Sequence, residues 1–545
     1  MPKLFLKTFL VFVLFSASCF SQQPEFLNGK IVDSITKEPV VFATVRIIGK
    51  AKGVITNMDG GFRLPSRYWE LGESIEISSM GFQKKEVSLL ELSLDTFNTI
   101  RLSPAIFELA EAVVSAKKKR EPTARQIIRR AVARIPENFP VNDFTTKGYY
   151  RDYQFDSLGY LNLNEAILEV FDAGFDEIDM LTTRTRIYDY VQNESFRRDT
   201  LADNPYNYKD WRKIIDKVYL PAYGGNEFEI LRVHDAVRNY ELNTFDFINE
   251  LSKGDMLRNH TLTKFSDTYT DEEILYSIQL KRSEPDFTAR GVIFIAKKDF
   301  AIHKLQYAVY DESKKNLDPL LQQQGISGQL VFEVKTEYKR GYDDKMYLNY
   351  ISFHNTFRLA KPPKFVIKDL SVLPDRGVFV LRFNNALAYV GTRFEDDVVS
   401  RGEAKADRKF WYKFKYKDKK IKFRNIQIAN DSTVYLYPKM DSIPLNTMMR
   451  ELVAMDREKI DIGIVLKFTV SGLQDVDGNS LNTSEYKNYN QFREYFVQEV
   501  DNLPQLPADS LLMDKRKPIF ERQPIYPPPD FEEYWMNTPL QKSEQ

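Results

Sequence analysis

The chain has 545 residues, with 77 Lys and Arg against 77 Asp and Glu, so its net charge is zero at neutral pH. That balance excludes long-range steering of the whole protein toward nucleic acid or an anionic membrane. Hydrophobic residues at 43% and charged residues at 28% describe a globular chain rather than a disordered one, long enough for three or four domains of ~150 residues. Aromatics at 13% favour strands, whose pleated faces pack rings well.

The first residues read as an export signal. Lys3 and Lys7 accompany an apolar run through Phe15, and the small residues Ser16, Ala17, Ser18, Cys19 and Ser21 follow, the order of a secretory signal peptide. As a helix, Leu4–Phe15 reaches only about 18 Å, against about 30 Å of bilayer core. Residues 1–21 are therefore assigned to a signal peptide, with no transmembrane span expected in the mature chain. Two processing routes stay open. Cleavage after Ser21 removes the one cysteine and with it any disulfide or thiol nucleophile; cleavage before Cys19 allows lipidation there.

Residues 26–103 form the first expected domain. Gly29–Asp33, Val40–Ile48, Gly53–Thr56 and Ser74–Ser78 are short strands, separated by turn signals at Asn57–Gly61 and Met80–Phe82. Gly60 and Gly61 supply the positive φ that such turns need, and Asp59 reads as a turn residue. Short strands at this spacing suggest a self-contained β-sandwich. The pattern Val32-Asp33, Glu38-Pro39, Ala43-Thr44-Val45, Thr56-Asn57, Asp59-Gly60, Phe62 and Gly81-Phe82 resembles the carboxypeptidase regulatory-like domain. That resemblance implies a transthyretin-like β-sandwich without catalysis, a module common at the N-terminus of Gram-negative outer-membrane and surface proteins, including TonB-dependent transporters.

Residues 104–122 read as a connector. Leu109–Ala116 is similar to the junction that precedes the plug of such transporters, but no plug or long barrel is recognisable after it. The next domain, 123–400, is expected to hold one helix followed by antiparallel strands. Ala124, Ile127, Ile128, Ala131, Val132 and Ile135 share a helical face, and Thr123 with Gln126 makes a capping box. Trp211–Tyr219 reads as a second helix. Lys147–Phe155, Tyr160–Phe171, Leu275–Lys281, Gly291–Ala296, His303–Tyr310, Gly328–Tyr338, Lys345–Phe357 and Gly377–Phe383 read as strands of a meander with one buried and one wet face. The hairpin turning at Lys298-Asp299 resembles those of the curved half-barrel in periplasmic lipoprotein carriers.

A β/α region is expected over 401–502. Tyr412, Phe414 and Tyr416 alternate with Lys413, Lys415 and Lys417, which places rings and ammonium groups on opposite faces of a strand. The segment 410–424 reads as an outer strand whose lysines discourage edge pairing; binding of anionic lipid head groups or an acidic polymer is the alternative. Met448, Met449, Leu452 and Val453 fit one helix, and Tyr489, Phe492, Tyr495 and Phe496 another. The Pro-rich tail 503–545 is expected to be anchored through Phe520, Tyr526, Phe531, Tyr534 and Trp535, because leaving those rings exposed together is unfavourable.

No catalytic, cofactor or metal site is legible. His234, His260, His303 and His354 show no metal-ligand spacing. Neither a nucleophile elbow nor a phosphate-binding glycine loop occurs. Asp475, Asp477 and Asn479 begin like a calcium loop but lack its remaining ligands, so a polar turn is expected. The fold class expected is mainly β with minor α: a transthyretin-like sandwich followed by a larger antiparallel body with a few helices. The functional expectation is a non-enzymatic, exported cell-envelope protein. It would act as interaction partner or scaffold at the periplasmic face of the outer membrane, beside an outer-membrane transporter or assembly complex. The alternatives are a periplasmic carrier of a lipid or other hydrophobic ligand, and a hydrolase of glycan or peptide. A lipid or glycan ligand is compatible with these readings, nucleic acid is not expected, and no cofactor is called for. A carrier requires an apolar cavity, and a hydrolase requires an accessible cleft with shifted pKa values.

Overall fold

The computed structural model describes residues 25–545 apart from 51, 58, 106–120, 206–212, 216–222, 244–255, 271–272, 316–321, 323–325, 389–405, 503–504, 530, 539 and 541–545. The signal segment with Cys19, most of the connector and most of Trp211–Tyr219 lie outside the described residues. The chain divides into two compact units, Met1–Arg358 with Asn488–Gln545, and Leu359–Lys487. The break expected at residue 400 thus falls at Leu359, and the chain returns to the first unit at Asn488.

In the first unit, seven strands build the N-terminal sandwich: β1 (Phe26–Asp33), β2 (Thr44–Ile47), β3 (Gly53–Ile55), β4 (Gly61–Pro65), β5 (Ser74–Ser78), β6 (Lys85–Ser88) and β7 (Asn98–Leu102). They form two sheets, ordered β4-β1-β7 and β3-β2-β5-β6. β1 pairs antiparallel with β4 and parallel with β7. Alternate residues point inward, so Leu27, Ile31, Val45, Ile47, Phe62 and Ile75 fill the space between the sheets. Asn57 Oδ1 accepts from the N–H groups of Asp59 (2.9 Å) and Gly61 (2.7 Å). Gly60, at φ +73°, leaves a Cβ only 2.4 Å from the Ile31 carbonyl oxygen, so the turn admits no side chain there.

The sandwich is neither all-strand nor self-contained. A short helix, Ser66–Glu70, interrupts it, and Trp535 from the far end of the chain completes its core. The indole ring lies 5.6 Å from Tyr68, and its Nε1 donates to the Arg63 carbonyl at 3.1 Å. Asn537 continues the clasp. It is 1% exposed, accepts from Arg63 N at 2.8 Å and donates to the Ile55 carbonyl at 2.8 Å. The tail anchoring read from the sequence is thus divided. Tyr534 and Trp535 are buried and Phe531 partly so, while Phe520 and Tyr526 stay exposed.

The larger sheet follows β8 (Phe144–Asp156), β9 (Gly159–Asp172), β10 (Arg184–Gln192), β11 (Lys213–Ile214), β12 (Thr261–Lys264), β13 (Thr268–Tyr269), β14 (Ile274–Ser283), β15 (Phe287–Ala296), β16 (Ile302–Lys315), β17 (Gly328–Arg340) and β18 (Met346–Ala360). The helix Ala124–Ala133 precedes it with the expected capping box and buries Ile127, Ile128 and Ala131. β14 to β18 form the expected antiparallel meander. One expected helix is a strand, and so are the two residues Lys213–Ile214 described within another. Lys213–Ile214 pairs with β18, and Tyr486–Asp501 is a 16-residue strand, β26 in chain order, seated between β8 and β18. Its period-2 pattern is hidden because both faces are covered: Phe492, Glu494 and Phe496 on one side, Arg493 and Tyr495 on the other, are all buried or nearly so. The same holds along β8 and β9, which corrects the expectation of one wet face.

The second unit contains β19 (Ile367–Leu373), β20 (Val378–Phe383), β21 (Tyr412–Tyr416), β22 (Lys419–Ile421), β23 (Phe423–Asn430), β24 (Thr433–Pro438) and β25 (Leu466–Val470). These make a sheet β19-β20-β24-β23 and a sheet β22-β21-β25. The helix Ser442–Arg457 buries Met448, Met449 and Leu452 against a core that includes Phe379, Phe414, Ile421 and Val434. The basic strand β21 is the central strand of its sheet, not an outer one. Its faces are as expected, with Tyr412 and Phe414 buried and Lys413 and Lys415 exposed.

Trp535→Ala is expected to destabilise the sandwich by about 3–5 kcal/mol, the usual range for emptying a core aromatic site. Hydrogen exchange at β1 and β4, together with faster proteolysis of the tail, measures it; Trp535→Phe retains most of the protection.

Candidate functional site

The described geometry concentrates polar chemistry on the two faces of the large sheet. On one face, the sandwich and the tail are seated. Phe42 packs on Tyr350 of β18 with the rings tilted and their centroids 4.7 Å apart, and Ile55 and Phe496 close the same apolar contact. Phe42 holds φ at +61°, a conformation that costs a non-glycine residue about 1–2 kcal/mol; the ring contact with the sheet is what that conformation achieves. Arg46 Nη2 donates to Asn349 Oδ1 at 3.0 Å, and Gln498 Nε2 to the Gly53 carbonyl at 3.2 Å. Arg151 of β8 is ion-paired to Glu494 of β26, and its Nη1 donates to the Asn537 carbonyl at 3.3 Å. Tyr350 OH donates to Glu494 Oε1 at 3.3 Å.

The opposite face carries the helix Glu227–Val233 and the turn after it. Asn226 caps the helix by accepting from Phe228 N and Glu229 N. Phe228 packs between Tyr150 and Tyr495 at 5.4 and 5.3 Å. His234 stacks on Phe353 at 3.9 Å, and Tyr338 OH donates to Asp235 Oδ2 at 2.5 Å. Arg232 and Arg238 both pair with Asp172 at 2.9 Å, and Arg232 also pairs with Asp179. Burial raises the Asp179 carboxyl, but the two guanidiniums outweigh it and hold it at about 2. Arg493 pairs with Glu227 at 2.5 Å. These charges satisfy one another, as buried charges must.

Beside Glu227 lies Asp152, 7% exposed. It accepts from Asn164 Nδ2 at 3.0 Å and from Tyr150 OH at 3.0 Å. Burial, reinforced by the Glu227 charge, pushes its carboxyl up to about 7. Burial also brings the nearby Lys213 ammonium down to about 8. Shifts of this kind mark catalytic groups, but the adjoining void is only about 10 Å³, room for about one water and none for a glycosidic or peptide bond. Two larger cavities lie where the sandwich meets the sheet. One, of about 180 Å³, is lined by Ser78, Phe82, Glu273, His303 and Arg340. The other, of about 530 Å³, is lined by Arg46, Lys50, Glu76, Arg340 and Glu499. Both linings are mixed, charged groups alternating with Met80, Phe82 and Tyr269 in the first and with Ile47, Ile48, Tyr347 and Val497 in the second. Hydrogen bonds from His303, at 3.1 Å, and from Arg340 hold Glu273 at about 2, so it is no proton acceptor near neutrality.

The four histidines are dispersed. Burial depresses His234 and His354 to about 4; His354 stacks on Phe492 at 4.0 Å. His260 Nε2 lies 2.7 Å from Tyr307 OH, and His303 meets Glu273. Among the described residues no group of three or more His, Cys, Asp or Glu is placed to hold a metal ion. Asp475 Oδ1 accepts from Asp477 N (3.1 Å) and Asn479 N (2.7 Å), which is a polar turn. Sequence reasoning missed Asp152, the Arg232–Asp172–Arg238 cluster and Asn537. Only the tail aromatics gave any signal, because the other groups meet across distances from 60 residues, at Asp172 and Arg232, to 474, at Arg63 and Asn537.

The family model of the CarboxypepD_reg-like domain matches residues 27–114. The N-terminal region therefore carries the domain that its turn motifs resemble. No curated protein matches the chain. Among solved structures, a putative outer membrane lipoprotein-sorting protein domain from Vibrio parahaemolyticus aligns at 11% identity over 43% of this chain and 86% of that one, with a TM-score of 0.22. A LolA superfamily protein from Nitrosomonas europaea aligns at 11% over 43% and 86%, with a TM-score of 0.18. MucB in complex with MucA(peri) aligns at 8% over 48% and 87%, with a TM-score of 0.15. Likeness at these scores supports neither fold nor function. Among the described residues no helix is long and apolar enough to cross a membrane.

The raised Asp152 sets a pH signature. Between its unfolded value of about 4 and about 7 the native carboxyl keeps a proton that the unfolded chain has lost, so stability falls as pH rises through that window. Asp152→Asn removes the ionisation and keeps an acceptor for Tyr150 or Asn164. It is expected to match the parent at pH 4 and to exceed it by at least about 1 kcal/mol at pH 8, one pKa unit being worth ~1.4 kcal/mol; urea titrations across that range measure the difference.

Proposed function

We propose that the protein is a non-enzymatic component of the cell envelope, exported to the periplasmic side of the outer membrane, where it acts as a docking scaffold for an outer-membrane transporter or assembly complex. One observation carries this reading. Over β8, β9 and β26 both faces of the large sheet are already filled by the chain itself, the helix Glu227–Val233 on one side and the sandwich with its tail on the other. A carrier needs an apolar compartment, and the two cavities beside the sheet set charged groups such as Glu273, Arg340, Arg46 and Glu499 among their apolar ones. A hydrolase needs access to its shifted groups, and Asp152 is sealed. What the first unit offers outward is the sandwich, fixed to a rigid support.

The sandwich presents apolar side chains of the kind such docking uses. Leu71 (68% exposed) caps the helix Ser66–Glu70, and Leu90 (59% exposed) lies on the 3₁₀ turn packed against that helix. The Leu90 Cδ1 is 3.5 Å from the Cβ position of Gly72, the residue that follows Leu71 in the chain. Paired exposed leucines on a rigid module are an interaction signal where isolated ones are not.

Affinity purification from detergent-solubilised envelope tests the proposal. The parent is expected to retain one outer-membrane protein in constant ratio. Leu71→Glu with Leu90→Glu is expected to lose it while melting at the parent's temperature, since both side chains are already in water. Retention by the double variant removes the leucine surface, and absence of any outer-membrane protein from the parent sample removes the scaffold reading itself.

A further inference from the structure

We propose that the wet face of the sheet β22-β21-β25, in the second unit, is a docking surface for a bilayer carrying anionic phospholipid head groups. In this sheet Lys415 of β21 lies directly opposite Lys420 of β22 on one side and Lys467 of β25 on the other. Three lysines therefore form one row across three strands. Lys413, two residues along on the same face, stands opposite Thr469. The other face of the sheet is committed to the core through Tyr412, Phe414, Ile421, Leu466 and Val470, so these lysines cannot turn inward. Lys467 meets Asp418 at 3.1 Å with both groups largely in water. Among the described residues, no carboxylate partner is found for Lys413, Lys415 or Lys420.

Like charges directly opposite on a sheet, with Cβ atoms ~5 Å apart, oppose folding. Lys420 and Lys467 stand on the edge strands β22 and β25, where a charge also discourages edge pairing, but Lys413 and Lys415 stand on the central strand, which has no exposed edge to protect. Charge is also concentrated locally. Between Asp407 and Arg424 there are nine Lys and Arg residues against two acids, Asp407 and Asp418, in a chain whose total charge is zero. A flat three-stranded face brings several ammonium groups into one plane, and a plane of phosphodiester head groups neutralises them together where a single dissolved anion meets one. Phe410, 59% exposed at the start of the same segment, adds an apolar side chain of the type that inserts at the boundary between head groups and acyl chains. The surface lies in the second unit, and its role does not depend on the partner proposed for the sandwich.

Flotation of the full-length protein with lipid vesicles tests this. Binding to phosphatidylcholine vesicles containing phosphatidylglycerol is expected, with none to pure phosphatidylcholine and with loss at high salt. Lys413→Gln, Lys415→Gln and Lys420→Gln together are expected to weaken binding on the order of 100-fold, about fivefold per lysine near an anionic surface, with a melting temperature equal to or above the parent's because the opposed charges are gone. Lys415→Gln alone provides the same readout with one exposed group changed. A control with Lys298, Lys368 and Lys439, all exposed, changed to Gln is expected to bind as the parent does. Equal flotation with neutral vesicles, or parent-like binding by the triple variant, overturns the proposal. Retention on soluble dextran sulfate without flotation overturns it as well and reassigns the face to an acidic polymer.

Discussion

Strand β26 is the seam on which the first unit depends. It enters the large sheet between β8 and β18, and at its centre Glu494 pairs with Arg151 out of contact with water. Removing one member of such a pair leaves an uncompensated buried charge, at a cost of about 3–5 kcal/mol. The hydroxyl of Tyr350 satisfies another lone pair of Glu494, and Arg151 reaches on to the Asn537 carbonyl. Asn537 in turn is hydrogen-bonded to β4 and β3 of the sandwich. Sheet, tail and sandwich are thus held through one continuous run of hydrogen bonds, with Trp535 as its apolar end.

Local rules were legible wherever one strong constraint acts on adjacent residues. The Asn57–Gly61 turn, the Thr123–Gln126 capping box and the Lys298-Asp299 hairpin depend on neighbours in the chain, and each was read correctly. β26 was not, because Tyr489, Phe492, Tyr495 and Phe496 mimic a helical stripe when both faces of a strand are buried and no polar alternation survives. β21 shows a different limit. Its two faces follow from period 2, but a central strand with a wet face and an edge strand carry the same residues, so its place in the sheet was misread. Trp535 announced itself as a ring needing cover, while its destination, a core more than 400 residues away in sequence, left no trace in composition.

The buried ionisable groups explain why the candidate site was harder to read than the fold. Arg232, Arg238, Asp172 and Asp179 look in sequence like ordinary surface charges separated by turns. Folded together, they tie the helix Glu227–Val233 and its following turn to β9 and fix its position over Tyr150 and Tyr495. The perturbed acidities of Asp179, Arg232 and Arg238 arise from a structural task. Asp152 shows the same: its elevated carboxyl comes from enclosure beside Glu227, in a space too small for any substrate.

The sequence distance across the seam has a consequence for how the molecule matures. Arg151 and Glu494 are 343 positions apart, and synthesis proceeds from the N-terminus. Until the last tens of residues emerge, β8 and β18 each present an unpaired backbone edge and the sandwich lacks an aromatic ring from its interior. Such nascent intermediates are prone to pair with one another. Closure by long-range partners is also intrinsically slow. The late arrival of β26 makes biogenesis, rather than the finished fold, the stage at which open strand edges expose this protein to aggregation.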